Sequence, residues 1–175
     1  DLIPLLVDGD ESRVKWVLLI SINPGGLTGG SGTQYFIGDW NGKEFTADEV
    51  KTRWLDYGRD NYAGVTFNDA PNQRRIFIGW MNNWEYAHNF PTEPWRGAMT
   101  LPRELTLISK DGKLSLAANP VSELVNYLGE KISAGSKAEL LQINTSISTS
   151  EGLSTKLRVT GDDGSYFEFG YDAKS

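Results

Sequence analysis

Apolar positions recur along the chain in short, evenly spaced runs. They occupy "VKWVLLIS" (14–21), "TQYFIG" (33–38), "YAGVTF" (62–67), "RRIFIGW" (74–80) and "GAMTLPRELTLI" (97–108). Each run alternates or is continuously apolar over the length of one strand, and each is bounded by Gly, Asn, Asp or Pro, the residues that end strands and make turns. No segment before Pro120 carries the 3.6-residue repeat of a helix. Closely spaced antiparallel strands joined by turns predict a propeller, barrel or sandwich.

The pattern changes at "LSLAANPVSELVNYLGEK", where Asn119-Pro120 opens a brief helical pattern with Val121, Leu124 and Leu128 on one face, read here as a connector. Beyond it, "AELLQINTSIS", "LSTKLRVTG" and "SYFEFGYD" alternate again, with "GDDG" (161–164) as a hairpin turn. The predicted organisation is a first β region over 1–117, a connector over 118–130 and a second β region over 131–175.

Composition narrows the partners more than it narrows the fold. The 175 residues carry a net charge of -6 without a dense Lys/Arg cluster, which argues against a nucleic-acid partner. No apolar run reaches the roughly 20 residues of a membrane-spanning helix. Cysteine is absent, so disulfides, thiolate metal sites and a cysteine nucleophile are excluded. His88 is the single histidine and sits among polar neighbours, where a surface or structural role is expected.

Aromatic density supplies the candidate chemistry. The segment Gly79 to Leu105 holds four tryptophan or tyrosine rings among Asn, Gly and Pro, a poor mixture for a regular core strand, so the rings fill a corner or line a pocket. An acidic β protein with such rings suits carbohydrate: an indole covers the C–H face of a sugar while Asn82, Asn83 and Gln34 offer amides to hydroxyls. Asp56, Asp60, Asp69, Glu85 and Glu93 are the nearby carboxylates, and a local ion pair with Arg59 is the plainer account of Asp60. The glycine-rich "NPGGLTGGSGT" (23–33) lacks the Gly-Lys-Ser/Thr ending and following helix of a phosphate loop, and is expected to be a flexible strand-to-strand loop able to shape a pocket rim.

Taken in order, "SINPGG", "GTQYFIGDWNG", "WLDYGRDNYAGVTF", "IGWMNNWEYAHNFPTEPWRGAMTLPREL" and "NPVSEL" resemble the invertase, inulinase and levanase family, glycoside hydrolase family 32, over residues 1–124. The resemblance implies an all-β chain: the last blades of a five-bladed β-propeller over 1–117, then the start of a β-sandwich domain. It implies a retaining β-fructofuranosidase acting on sucrose or fructans such as inulin and levan, with no metal or organic cofactor. Family habit implies an extracellular protein, and the "NTS" triplet offers Asn144 for N-glycosylation.

By the same resemblance Trp84 lines the fructose pocket, Gln34 contacts the sugar on the leaving-group side, and Asn23 and Tyr62 stand close to the funnel. Trp80 and Trp95 are expected to pack between blades. No catalytic carboxylate is expected in this chain: the segments holding the family's nucleophile, its Arg-Asp-Pro aspartate and its Glu-Cys-Pro acid/base have no counterpart, and "DLIPL" matches the stretch just after the last of them. The expected partners are the fructoside and the remainder of the same enzyme, with a homo-oligomer left open. The competing readings are a non-catalytic carbohydrate-binding β module and a truncated pseudoenzyme.

Overall fold

In the computed structural model, which describes residues 1–138, 142–143 and 154–172, the first expected run is the middle of a four-stranded antiparallel meander. Its strands are β1 (Leu2–Val7), β2 (Asp10–Ile22), β3 (Gly32–Trp40) and β4 (Phe45–Ala47), each bonded to its predecessor, and a short β5 (Arg53–Trp54) pairs with the start of β3. Side chains alternate across a strand, and the register turns that alternation into apolar cross-strand pairs. Ile3 lies opposite Val17, Val17 opposite Ile37, and Leu19 opposite Tyr35. All five are buried on one face of the sheet.

A second antiparallel meander follows. It runs through β6 (Tyr62–Thr66), β7 (Ile76–Met81), β9 (Arg103–Lys110) and β10 (Lys113–Pro120), with β8 (Ala98–Met99) laid against the end of β7. Phe77, Leu105 and Leu107 are buried from this side and join Ile3, Leu5, Val7, Val17 and Leu19 in one core cluster. Full burial of each such side chain is worth about 1.5–3 kcal/mol before the entropy of ordering is subtracted. The approach over Phe77 depends on one missing side chain, because a Cβ on Gly64 of β6 would stand 2.0 Å from the Phe77 ring.

The meanders meet along a seam. Val7 pairs in parallel with Leu107, the Asp8 amide donates to the Leu107 carbonyl (2.9 Å), and the Ser109 amide donates to the Asp8 carboxylate (2.8 Å). At the other end of β1, the Asp1 carboxylate accepts from the Thr66 amide and hydroxyl at 2.7 and 3.1 Å. Strands β1 and β10 fall outside the runs picked out by alternation alone. Both border an Asp-Gly turn, Asp8-Gly9 and Asp111-Gly112, with both residues at positive φ, as a two-residue hairpin of the favoured twist requires.

The connector is a 3₁₀ helix, Ser122–Tyr127, preceded by the buried Val121. Before Pro120 the described residues hold only two three-residue 3₁₀ turns, Pro71–Gln73 and Ala87–Asn89. Arg74 fixes the connector: it donates to Glu104 of β9 (2.9 Å) and, through both terminal nitrogens, to the two Glu123 oxygens (2.6 and 3.0 Å).

Residues 1–127 form one compact unit and 128–175 another. In the second, β11 (Ser154–Thr160) and β12 (Tyr166–Asp172) make a hairpin closed by the expected turn, where the Gly161 amide donates to the Ser165 carbonyl at 2.7 Å. The expected strand over 138–148 lies largely outside the described residues. No helix among the described residues is long and apolar enough to cross a membrane.

Candidate functional site

The aromatic segment enters from β7, whose last turn brings the backbone to Asn82 and Asn83. Both are fully buried, but only the Asn83 amide is fully bonded; the Asn82 side-chain nitrogen is buried without a hydrogen-bond partner among the described residues. The Asn82 side-chain oxygen accepts from the Asn83 main-chain amide (2.8 Å). The Asn83 side chain is a hub: its oxygen accepts from the Ser31 and Glu85 amides at 3.0 and 2.9 Å, and its nitrogen donates to the carbonyls of Gly29 (3.1 Å) and Arg59 (2.9 Å). Neither amide faces outward as a sugar ligand would.

The same hub settles the glycine-rich loop between β2 and β3. Internal bonds close it, from the Gly26 amide to the Gly30 carbonyl (2.9 Å) and from the Gly29 amide to the Gly26 carbonyl (3.0 Å). Gly30 sits at φ +59, and a Cβ there would lie 2.0 Å from the Asn83 side-chain oxygen, so both the conformation and the contact require glycine. The loop expected to be flexible is bonded to the turn that carries Trp84.

Trp84 itself is 53% exposed, its ring resting on Trp80 with centroids 5.1 Å apart; Trp80 in turn meets the edge of Tyr62 at 6.4 Å. The Trp80 indole nitrogen donates to the Arg96 carbonyl (3.0 Å), which holds the supporting ring in place. The Trp84 amide donates to the Ser31 hydroxyl (3.1 Å), and that hydroxyl donates to the side-chain oxygen of Asn23 (3.4 Å). Three of the four residues expected at the site, Asn23, Tyr62 and Trp84, are therefore joined by one chain of contacts. Gln34 lies on β3 opposite Ile20 and Trp54, half-buried on the strand face that alternates with Thr33 and Tyr35. Trp95 is 61% exposed and does not fill the space between the two meanders. Asn144 lies outside the described residues.

Carboxylates around the rings are mostly engaged. Asp56 pairs with Arg103 (2.6 Å) and accepts from the Gly58 amide (2.7 Å); burial raises its pKa, but these two partners outweigh burial and leave it below the ordinary value. Arg59 pairs with Glu85 across the loop, stacks 5.2 Å from the Tyr86 ring centre, and leaves its neighbour Asp60 to accept from the Tyr86 hydroxyl. Burial, followed by that carboxylate, pushes the Tyr86 phenol up to about 12. Glu93 pairs with Arg96 (3.1 Å), Asp69 sits at φ +56 in a turn, and His88 is exposed on the 87–89 turn. Among the described residues no group of three His, Cys, Asp or Glu side chains could hold a metal ion.

A cavity of about 220 Å³ lies elsewhere, lined among others by Phe36, Asp48, Glu49, Lys51, Arg53 and Lys113. Its charges are largely spent on each other and on Lys15, which bridges Asp39 and Asp48 at 2.9 Å. The exposed Trp84 indole, backed by Trp80 and Tyr62 and flanked by the bonded loop, leaves one aromatic face open to solvent.

Comparison with known proteins gives this surface a context. Residues 1–120 match the model of the glycosyl hydrolases family 32 N-terminal domain. A levanase of Bacillus subtilis is 35% identical over 195 aligned positions, which take in 100% of this chain and 29% of the levanase. The crystal structure of an exo-inulinase from Aspergillus awamori superposes with a TM-score of 0.62 at 41% identity, covering 68% of this chain and 25% of that one. A beta-fructofuranosidase from Schwanniomyces occidentalis, solved with fructosyl-erythritol, gives 0.65 at 32% identity, covering 90% and 29%. The chain thus spans under a third of the length of each of these proteins, and its two meanders are blades of their propeller fold.

Proposed function

Since the chain belongs to glycosyl hydrolase family 32, we propose that the protein carrying it is a β-fructofuranosidase that releases terminal fructosyl units from sucrose or from fructans such as inulin and levan. The observation that carries this reading is the exposed Trp84 ring, stacked on Trp80 and tied through Ser31 to Asn23, in a chain whose relatives are named levanase and exo-inulinase. In this reading Trp84 covers the apolar face of fructose, Asn23 and Tyr62 stand at the rim, and Gln34 reaches the leaving-group side.

The stretch binds sugar rather than cleaving bonds. A retaining glycosidase needs two carboxyl groups about 5–5.5 Å apart, one free to attack and one free to give a proton. Asp56, Asp60, Glu85 and Glu93 are each held by a cation or a phenol, so the catalytic pair is assigned to other parts of the protein. The 128–175 unit is assigned to the start of a β-sandwich domain. Extracellular action follows the relatives named as extracellular exo-inulinases.

The test is anomer-resolved NMR of the first product from sucrose and inulin, which should show β-configured fructose. Trp84→Ala should lower kcat/KM about tenfold, the scale of a lost aromatic contact. Inverted product, or no action of the protein on any fructoside, would overturn the reading.

A further inference from the structure

The Ser31 hydroxyl occupies an unusual position in the chain of contacts at the rim. It is 3% exposed, accepts from the Trp84 main-chain amide and donates to the Asn23 side-chain oxygen. A hydroxyl has one proton to give. With the Trp84 amide already donating to its oxygen, that proton goes to an acceptor, and the Asn23 oxygen receives it. The orientation of the Asn23 amide follows: its oxygen turns inward to Ser31, and its NH₂ is presented to solvent, where Asn23 is exposed.

Ser31 is itself immobilised. The Asn83 oxygen accepts from its amide (3.0 Å) and the Asn83 nitrogen donates to its carbonyl (3.4 Å), with Gly30 allowing the close approach. We propose that Ser31 is a positioning residue that couples the Trp84 ring to the Asn23 amide, so that the site presents an apolar platform and an outward N–H pair as one rigid unit. The ligand feature it selects is a sugar hydroxyl whose oxygen accepts from that NH₂ beside the C–H face that covers the indole. The inference rests on the fructoside-binding reading and adds to it the group that sets the geometry and the donor character of the rim.

The experiment uses the full protein, with steady-state kinetics on sucrose, competitive inhibition by fructose, and acrylamide quenching of tryptophan fluorescence. Ser31→Ala should raise KM and the fructose inhibition constant roughly five- to tenfold, the scale of one hydrogen bond, with kcat changed less than about twofold. Quenching should rise, since the ring is less firmly held. Asn23→Asp keeps the acceptor for Ser31 and removes the N–H donors; it should raise KM by a similar factor, and the double variant should be less impaired than the product of the two. Asn23 is exposed, so Asn23→Asp remains informative even where Ser31→Ala lowers the yield of folded protein.

An active protein whose KM is unmoved by Ser31→Ala, whose KM is unmoved by Asn23→Asp, or whose two effects multiply independently overturns this proposal alone. A folded wild-type protein that neither cleaves a fructoside nor binds fructose overturns the fructoside reading, and the coupling with it.

Discussion

Strands β1 and β12 each turn every second residue, all of them apolar, to one face, and those faces end in different surroundings. In β1 the inward positions Ile3, Leu5 and Val7 are 4%, 8% and 2% exposed. In β12 the corresponding face carries Phe167, Phe169 and Tyr171, which are 66%, 39% and 45% exposed. The β11–β12 hairpin even separates its faces more cleanly: Leu157 and Val159 lie opposite Phe169 and Phe167, while Arg158 lies opposite Glu168 on the other side. Alternation decides which way a side chain points, and only a second layer decides whether it leaves water. The first meander has that layer in Phe77, Leu105 and Leu107.

Substitutions on the two sides put the contrast to the test. Phe77→Ala should have the largest effect, a loss of about 3–5 kcal/mol in urea unfolding, because a fully buried ring is removed from the core that the two meanders share. A loss under about 1 kcal/mol would mean that the meanders do not share one core. Phe167→Ser should cost on the order of 2 kcal/mol in the intact protein if a second sheet covers the hairpin, as the sandwich assignment requires. An effect near zero leaves the hairpin as a single layer and removes that assignment.

A smaller effect is expected from the ion pair that fixes the connector. Glu123 is held down at about 2, first by its hydrogen bonds from Arg74, against an ordinary value near 4.5. A depressed carboxylate stabilises the fold above its unfolded pKa and loses that contribution as pH falls from about 4.5 toward about 2. Glu123→Gln should therefore lower Tm at pH 7 and flatten its fall through that window; an unchanged acid limb would place the proton uptake elsewhere. Smallest of all, Lys137→Ala should leave Tm unchanged in a thermal melt, since Lys137 and its partner Asp162 are both 84% exposed.

Much of the fold was legible because its strands carry their own punctuation. The five alternating runs before Pro120 coincide with β2, β3, β6, β7 and the β8–β9 stretch. Strand β1 has apolar residues at nearly every position, which blurs the alternation, and β10 ends in the Asn-Pro that also opens the connector. Their Asp-Gly turns were the available signal.

The site was less legible, for a physical reason. A Trp in an Asn-rich turn announces an unusual environment, yet sequence cannot distribute hydrogen bonds. Asn83 looks like a ligand and serves as a bracket for three backbone segments; Ser31, one serine in a glycine-rich run, sits between Asn23 and Trp84. The Arg59 guanidinium likewise bypasses the adjacent Asp60 for Glu85, 26 positions away.

The seam between the meanders also bears on how the chain finds its fold. Most pairings inside each meander, β1–β2, β2–β3, β3–β4, β6–β7 and β9–β10, join strands that are neighbours along the chain, and such hairpins close within microseconds. The bond from Ser109 to Asp8 spans 101 positions. Closing a loop that long costs about 1.5 RT ln n in chain entropy, so the contact gains nothing until both sheets exist to offset that cost. The rate-limiting encounter is then the docking of two preformed meanders. The Asp8 and Ser109 amides, which donate across the seam, should gain hydrogen-exchange protection after those within β2 and β3, in a pulse-labelling experiment that follows refolding.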